Sequence, residues 1–189
     1  AILVILIGIG SAMGGNKGDS NSAQNKSTQA NSSKTTETSK PKDDKKYNMS
    51  KFMQVSMGMT YDQVKAILGD GTEESSGGNG DTKTISYSWK NSDGSNISVM
   101  LQGNKVVTKA QAFLQGMDAK VTMDKYNKIN NGMTYDQVKA ILGEGQLSSQ
   151  SLIVNVKDEI YSWINTDGSN MQVTFQNGKV DTKAQFELK

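Results

Sequence analysis

The twelve-residue sequence GMTYDQVKAILG occurs twice in this 189-residue chain, at positions 58–69 and 132–143. The 74-residue offset holds outside the motif as well, because YSW at 87–89 returns at 161–163 and TKAQ at 108–111 returns at 182–185. Self-similarity at one fixed offset without insertion indicates an internal duplication. We therefore expect the folded part of the chain to contain two copies of one structural unit.

The repeated motif predicts a short helix with defined ends. In the first copy, Thr60 and Gln63 have the spacing of a capping box, in which each side chain binds the backbone N–H of the other residue. An apolar stripe at i, i+3 and i+4 starts at Val64, and Gly69 provides the residue that most easily ends a helix. A shorter helix is expected before it, at about 50–55 and 123–129, so each copy begins with a helical hairpin.

After each motif the apolar period changes from 3.6 to two, which is typical of strands. Runs at 84–90, 97–101 and 106–112 are separated by DGSN and QGNK, which favour hairpin turns. Weaker strands are expected at 72–76 and 146–151. The predicted class is α+β, with two tandem α-α-β-β-β(-β) repeats forming one curved antiparallel sheet and helical hairpins on one face. A unit of about 70 residues is marginal alone, so two units sharing a sheet stabilise each other.

The strand alternation separates two faces. Ile85, Tyr87 and Trp89 share a face that we expect to be the helix-covered core, although the inverted phase would expose them as binding anchors. The same alternation puts Val106 and Thr108 with the core. The opposite face is the candidate partner-binding surface, with the alternative that it is simply solvated. Its members are Ser86, Ser88, Lys90, Met100, Lys109, Ser162, Ile164, Gln172, Thr174 and Lys183.

Composition excludes several classes of function. All 21 basic residues are lysine, the formal net charge is +2, and the chain has no histidine and no cysteine. The lack of arginine and of strong positive charge argues against sequence-specific nucleic-acid binding. No thiol or imidazole is available for catalysis or zinc, and no nucleophile elbow or phosphate loop occurs. The DGSN loops offer one carboxylate each, too few for calcium. We expect no enzyme, no catalytic residues, no metal and no cofactor.

The predicted organisation has four parts. Residues 1–13 are an apolar, signal-peptide-like segment, with the alternative of a buried element of the domain. Residues 14–48 are polar and lysine-containing, which predicts a disordered tether. Repeats follow at 49–115 and 116–189. A mildly basic tether could lie near an anionic envelope surface, and the alternative that it is only a spacer is favoured. The signal-like segment followed by a tether predicts a secreted or surface-anchored bacterial protein. A cysteine often follows such an apolar run in lipoproteins, but here MGG occupies that place.

The motif G-M-T-x-x-Q-V-x-x-I-L-G, followed by strands with Y-x-W and a Gly-Ser hairpin, resembles the β-lactamase-inhibitor-protein-like (BLIP-like) family. The tandem copy over 49–189 is similar to the two-repeat architecture of that family, and the single motif is similar to the outer-membrane assembly lipoproteins (SmpA/OmlA). The resemblance implies an eight-stranded curved sheet with helices on its convex side and a concave face that binds a protein. The family's known inhibitors use disulfides, which this chain cannot form.

The predicted function is therefore a secreted or surface-tethered, non-enzymatic module that recognises a protein partner through the concave sheet face. Two alternatives remain open. One is a structural accessory of envelope assembly. The other is a proteinaceous inhibitor of a secreted hydrolase such as a β-lactamase.

Overall fold

The computed structural model describes residues 45–189, and the predicted signal-like segment and nearly all of the tether lie outside that range. The first repeat contains α1 (Met49–Gln54), α2 (Tyr61–Leu68), β1 (Thr72–Gly77), β2 (Thr84–Lys90), β3 (Asn96–Gln102) and β4 (Lys105–Ala112). The second contains α3 (Met123–Asn127), α4 (Tyr135–Leu142), β5 (Gln146–Ile153), β6 (Val156–Ile164), β7 (Asn170–Gln176) and β8 (Lys179–Phe186). No helix within 45–189 is long and apolar enough to cross a membrane.

All eight strands form one antiparallel sheet in sequence order, from β1 at one edge to β8 at the other. The two repeats meet where β4 pairs with β5, through Thr108 with Ser151, Lys109 with Gln150, and their neighbours. The predicted α+β class and the single shared sheet are confirmed. The weak strands expected at 72–76 and 146–151 are present as β1 and β5.

The capping box forms in both copies as the sequence predicts. Thr60 Oγ1 accepts from the Gln63 N–H, and Gln63 Oε1 accepts from the Thr60 N–H at 2.9 Å. The same two bonds join Thr134 and Gln137. Each helix ends at a glycine with φ above +80°, Gly69 or Gly143, where a side chain would be strained.

Both helical pairs cover the same face of the sheet. Residues that pair directly across antiparallel strands lie on one face, and the register links Val99 to Lys109, Gln150, Glu159 and Phe175. Val99 packs in the core cluster of the first repeat and Phe175 in that of the second. The helices therefore lie on one side, and the other side, which we call the open face, carries no helix.

The two tryptophans lie in the core, so the inverted phase is wrong. Trp89 and Trp163 are each 1% exposed, and each indole N–H donates to a helix-terminal carbonyl, Gly69 O or Gly143 O, at 3.1 Å. The chain passes so close to the ring that a Cβ on Gly71 would lie 2.6 Å from Trp89 Cζ2. Glycine at this position allows the tryptophan to pack under the helix end.

Each repeat contains two β-bulges, which follow from the register shifts. The extra residues are Glu74 and Val107 in the first repeat and Ser148 and Asp181 in the second. A bulge reverses the inward and outward alternation of the residues that follow it. Beyond Val107, Thr108 is therefore on the open face, which corrects the simple alternation expected along β4.

The folded unit starts before the predicted boundary at 49. Tyr47 is buried in the first core cluster, and its backbone N–H and C=O both bond to the side-chain amide of Asn91. Asn48 caps α1 by accepting from the Lys51 N–H. The predicted tether, 14–48, includes both residues, because no apolar period marks them as part of a helix or strand.

Candidate functional site

Most of the side chains on the open face are small. One row across all eight strands can be followed through the register, and only one of its members is a large aliphatic residue. The row is Thr72, Ser88, Ser98, Ala110, Ser149, Ile160, Thr174 and Thr182. Short side chains leave the backbone of a sheet close to its surface, so a partner can approach closely over a wide area.

Eight of the ten predicted binding residues lie on this face. Their exposure differs: Lys90 and Gln172 are exposed, while Ser88 and Ser162 are buried by their neighbours. The eight are Ser86, Ser88, Lys90, Met100, Ser162, Ile164, Gln172 and Thr174. The structure thus brings these side chains together on one surface, and their role in binding stays a prediction.

Lys109 and Lys183 do not belong to this face, contrary to the expectation. Each lies beyond a bulge, so its side chain points to the helices. Lys109 Nζ donates to Phe52 O at 3.2 Å and Val55 O at 2.7 Å. Lys183 Nζ donates to Tyr126 O and Ile129 O at 2.8 and 2.7 Å. Both lysines donate hydrogen bonds to carbonyls at the end of a short helix. A strict period-two alternation along the strands cannot predict this, because it does not include the bulges.

The two buried serines have different partners. Ser88 Oγ donates to Glu74 Oε1 at 2.5 Å, and Lys90 Nζ binds the same oxygen at 2.9 Å. Both bonds lower the pKa of Glu74, and the bond from Ser88 has the larger effect. In the second repeat, Ser162 Oγ instead lies 2.7 Å from Ser148 Oγ. The open face therefore has a charged cluster in the first repeat and a neutral one in the second.

Apolar side chains on the open face concentrate in the second repeat. Ile160 and Ile164 are half-buried, and Phe186 is 57% exposed. The register places Ile164, Asn170 and Phe186 in one row, so the phenyl ring and Ile164 flank the asparagine. The sequence analysis included Ile164 but missed Ile160 and Phe186. Reading the second repeat against the first would have found them, since the equivalent positions 86 and 112 hold serine and alanine.

The hairpin between β5 and β6 exposes a further apolar group. Val154 and Asn155 form its turn with φ of +48° and +66°. A β-branched residue is rarely found at positive φ. The exposed side chains are Leu152, Ile153, Val154 and Val156. The first repeat has GNGDT at the equivalent positions 78–82, so this apolar turn is specific to the second repeat.

The DGSN loops are hairpin turns that occupy their own carboxylates. Asp93 Oδ1 accepts from the Ser95 N–H at 2.9 Å and from Ser95 Oγ at 2.6 Å, and Asp167 accepts equivalently from Ser169. These bonds lower the pKa of both aspartates, and the bond from the serine hydroxyl has the largest effect. Within residues 45–189 no three His, Cys, Asp or Glu side chains come together as metal ligands.

Comparisons with known proteins agree with this architecture. A family model described as Beta-lactamase inhibitor (BLIP) matches residues 48–156, more than half of the chain. Fourteen solved chains match, among them the 1.40 Å crystal structure of a candidate beta-lactamase inhibitor protein from Streptococcus mutans. It aligns with a TM-score of 0.58 and 26% identity, covering 73% of this chain and 88% of that chain. A search of curated proteins found no match. With its tandem repeat and helix-backed sheet, the chain belongs to the beta-lactamase inhibitor (BLIP) family.

Proposed function

We propose that this chain is a non-enzymatic protein-binding module whose open face contacts the partner. The observation that carries the proposal is how the two repeats differ. Core positions keep their character, as at Trp89 and Trp163 or Val99 and Val173. On the open face, Ser86 and Lys90 are replaced by Ile160 and Ile164. A sheet face without helices does not need apolar side chains for packing within the protein. Contact with a partner, which removes these side chains from water, explains their presence better than internal packing does.

The dimensions of the open face suit a protein rather than a small molecule. Eight strands spaced about 4.8 Å apart, each six to nine residues long, give an area of roughly 33 by 22 Å, or about 700 Å². One side of a stable protein–protein interface buries about 800 Å². Met100, Ile160, Ile164 and Phe186 would form the apolar part of the contact, with Lys90, Gln172 and Thr174 as its polar surroundings.

Substitutions on the open face test this proposal. The full chain, immobilised, is used to capture proteins from bacterial envelope extract, and the bound fraction is identified. Met100→Lys with Ile164→Lys should abolish capture of a specific partner, because each change places a charge in the apolar contact. Ala140→Lys, on the exposed side of α4, is the matched control. Capture that survives the paired change, or that Ala140→Lys reduces equally, contradicts the assignment of this face.

A second candidate, inhibition of a β-lactamase, is favoured by the family match and by the Streptococcus mutans neighbour. Its test is direct: hydrolysis by class A β-lactamases is measured with micromolar full-length protein. Inhibition that Ile164→Lys relieves supports the candidate, and unchanged rates exclude it for the enzymes tested. The envelope-assembly alternative predicts instead that capture recovers membrane-assembly proteins.

We also propose that the module is secreted or held at the bacterial surface. This rests on the apolar segment 1–13 and the polar composition of 14–48. Cell fractionation with an antibody against the folded unit tests it. Recovery in the cytosol would contradict the proposal.

A further inference from the structure

A groove of about 360 Å³ lies on the helix-covered side, where the two repeats meet. We call it the junction groove. Its apolar walls come from the end of α1 and the following turn on one side, with Met53 and Met57, and from β5 on the other, with Leu147 and Leu152. Lys109, Lys157 and Glu159 supply its charges. The volume is within the range of small-molecule sites, and the methionines can adapt to a flexible ligand.

Lys109 contributes a buried ammonium without a carboxylate partner. The residue is 2% exposed; its Nζ donates to two neutral carbonyls, Phe52 O and Val55 O, and lies 4.6 Å from the centroid of the Phe52 ring. Among the ion pairs of residues 45–189 none includes Lys109. A lysine ammonium has three donors, so one remains for another acceptor. A buried charge that lacks a counter-ion is costly. Burial is the largest cause that lowers the pKa of Lys109, to about 8.

The Glu159 carboxylate compensates the Lys109 charge only in part: its charge raises the pKa of Lys109 against the larger effect of burial, and its hydrogen bonds go to other residues. Glu159 Oε1 accepts from Lys157 Nζ at 2.9 Å and from Gln150 Nε2 at 3.0 Å, so the carboxylate is already engaged. Two lysines and one glutamate line the groove, which leaves a net charge of +1. The groove therefore combines apolar walls with one uncompensated positive charge.

The second repeat shows what the same lysine does without a groove. Lys183 makes the equivalent two bonds to helix-end carbonyls, but within residues 45–189 no strand pairs with the outer edge of β8, and the side chain is half-exposed. Water can solvate the ammonium there. Both lysines bind the carbonyls at the end of a short helix. Of these two lysines, Lys109 alone also lies beside the apolar walls of a groove.

We propose that the junction groove binds an aliphatic carboxylate of medium chain length, with the carboxylate on Lys109 and Lys157 and the chain along Met53, Leu147 and Leu152. The carboxylate would compensate the buried charge, and the chain would remove the exposed methionine and leucine side chains from water. This site lies on the side of the sheet opposite to the open face, so it is independent of the proposed partner surface.

Titration of the full-length protein with decanoate, followed by calorimetry and by NMR of the lysine side chains, tests the proposal. We expect saturable binding, a signal change at Lys109, and an increase in the pKa of Lys109, since a bound carboxylate favours the ammonium. Decanol, which has the same chain without charge, should bind at least about tenfold more weakly. Equal affinity for decanol, or no binding by the wild type at millimolar decanoate, overturns the proposal.

Matched variants locate the site. Lys109→Met should weaken decanoate binding by about tenfold or more, whereas Lys183→Met should not change it. Met53 is 53% exposed at the rim, so Met53→Asp should fold and should weaken binding by a similar factor. Met117→Asp, also at an exposed methionine, is its control. If Lys109→Met does not fold, the Met53 and Met117 pair decides the question. Equal effects within that pair, or binding of acetyl-leucyl-leucine in preference to decanoate, contradict the proposal.

Discussion

The same four residues, TKAQ, occupy β4 and β8 and have different environments. In β4, Lys109 and Gln111 are buried, and Gln111 Nε2 donates to Leu147 O in the neighbouring strand. In β8, Lys183 is half-exposed and Gln185 is exposed. The difference arises because β5 covers the outer edge of β4, whereas β8 ends the sheet. Position in the sheet, and not local sequence, decides how deeply these side chains are buried.

The residues around the two strands differ in a way that fits these positions. Val107, in the bulge of β4, corresponds to Asp181 in β8. Met57 corresponds to Asn131, whose side-chain amide donates to Asp181 O at 2.7 Å. At the opposite edge, Glu73 in β1 occupies the place that the buried Leu147 has in β5. Charged and capping side chains on edge strands discourage the addition of further strands.

The largest effects should be equal in the two repeats, because the tryptophan sites are equivalent. Trp89→Ala and Trp163→Ala each remove a fully buried indole and its bond to a helix-end carbonyl. We expect a loss of about 3–5 kcal/mol in the free energy of unfolding for each, measured by denaturant titration. Losses that differ by more than about 1 kcal/mol would show that the repeats do not share an equivalent core.

The lysine substitutions should separate the repeats. Lys109→Ala removes the donor of Val55 O and leaves Phe52 O with only the Val55 N–H, so it should reduce the free energy of unfolding by about 2–3 kcal/mol. Lys183→Ala exposes the equivalent carbonyls to water and should cost about 1 kcal/mol. Denaturant titration of both variants beside the wild type measures the difference. A larger loss for Lys183→Ala would contradict the burial argument.

The pH dependence of stability should report on Lys109. Its folded pKa of about 8 lies below the ordinary lysine pKa of 10.5, which the unfolded chain keeps, so between these pH values the unfolded chain binds more protons. The contribution of Lys109 to stability therefore rises with pH across this window, by at most about 1.4 kcal/mol per pH unit, and is lost as pH falls through 8. The neutral amine keeps two N–H donors for its two carbonyls.

Unfolding measured from pH 7 to 9.5 in the wild type and in Lys109→Met isolates this slope. Burial raises the pKa of Tyr161 to about 12, and tyrosine ionisation acts in the opposite direction at higher pH, which sets the upper limit. Lys183→Met is the control and should keep the wild-type slope. A slope that persists in Lys109→Met assigns the effect to another group.

The smallest effect is expected at the sheet edges. Glu73→Leu with Asp181→Val restores the residue types found where β4 and β5 join, and each restored pair contributes about 0.2–1 kcal/mol. The paired variant should self-associate more than the wild type, with β8 of one copy adding to β1 of the next, as measured by sedimentation velocity over a concentration series. Asp62→Leu with Asp136→Val changes the charge equally on the helices and should not associate.

The sequence predicted most of the fold because its signals are local. The capping pair Thr60 and Gln63, the glycine at 69 and the period-two runs each depend on neighbouring residues, and each is present in the structure. The duplication was the one signal of long-range structure, because it predicted that two units share a sheet. The period-two alternation also predicted that eight of the ten candidate binding residues share one face, the open face, and their role in binding stays a prediction. Lys109 and Lys183 were misplaced, because a bulge changes the alternation without altering composition.

By itself, the sequence determined the elements, the doubling and the grouping of the tryptophans with Ile85 on one face, since helix caps, turns and apolar periods act over a few residues. Only the tertiary structure decided which TKAQ strand is buried, where Tyr47 packs and that a charged groove forms at the junction. The buried TKAQ strand and the groove depend on the pairing of β4 with β5, and Tyr47 depends on its bonds to Asn91, all between residues about 40 positions apart. Burial and its electrostatic consequences arise from such contacts, and no local pattern contains them.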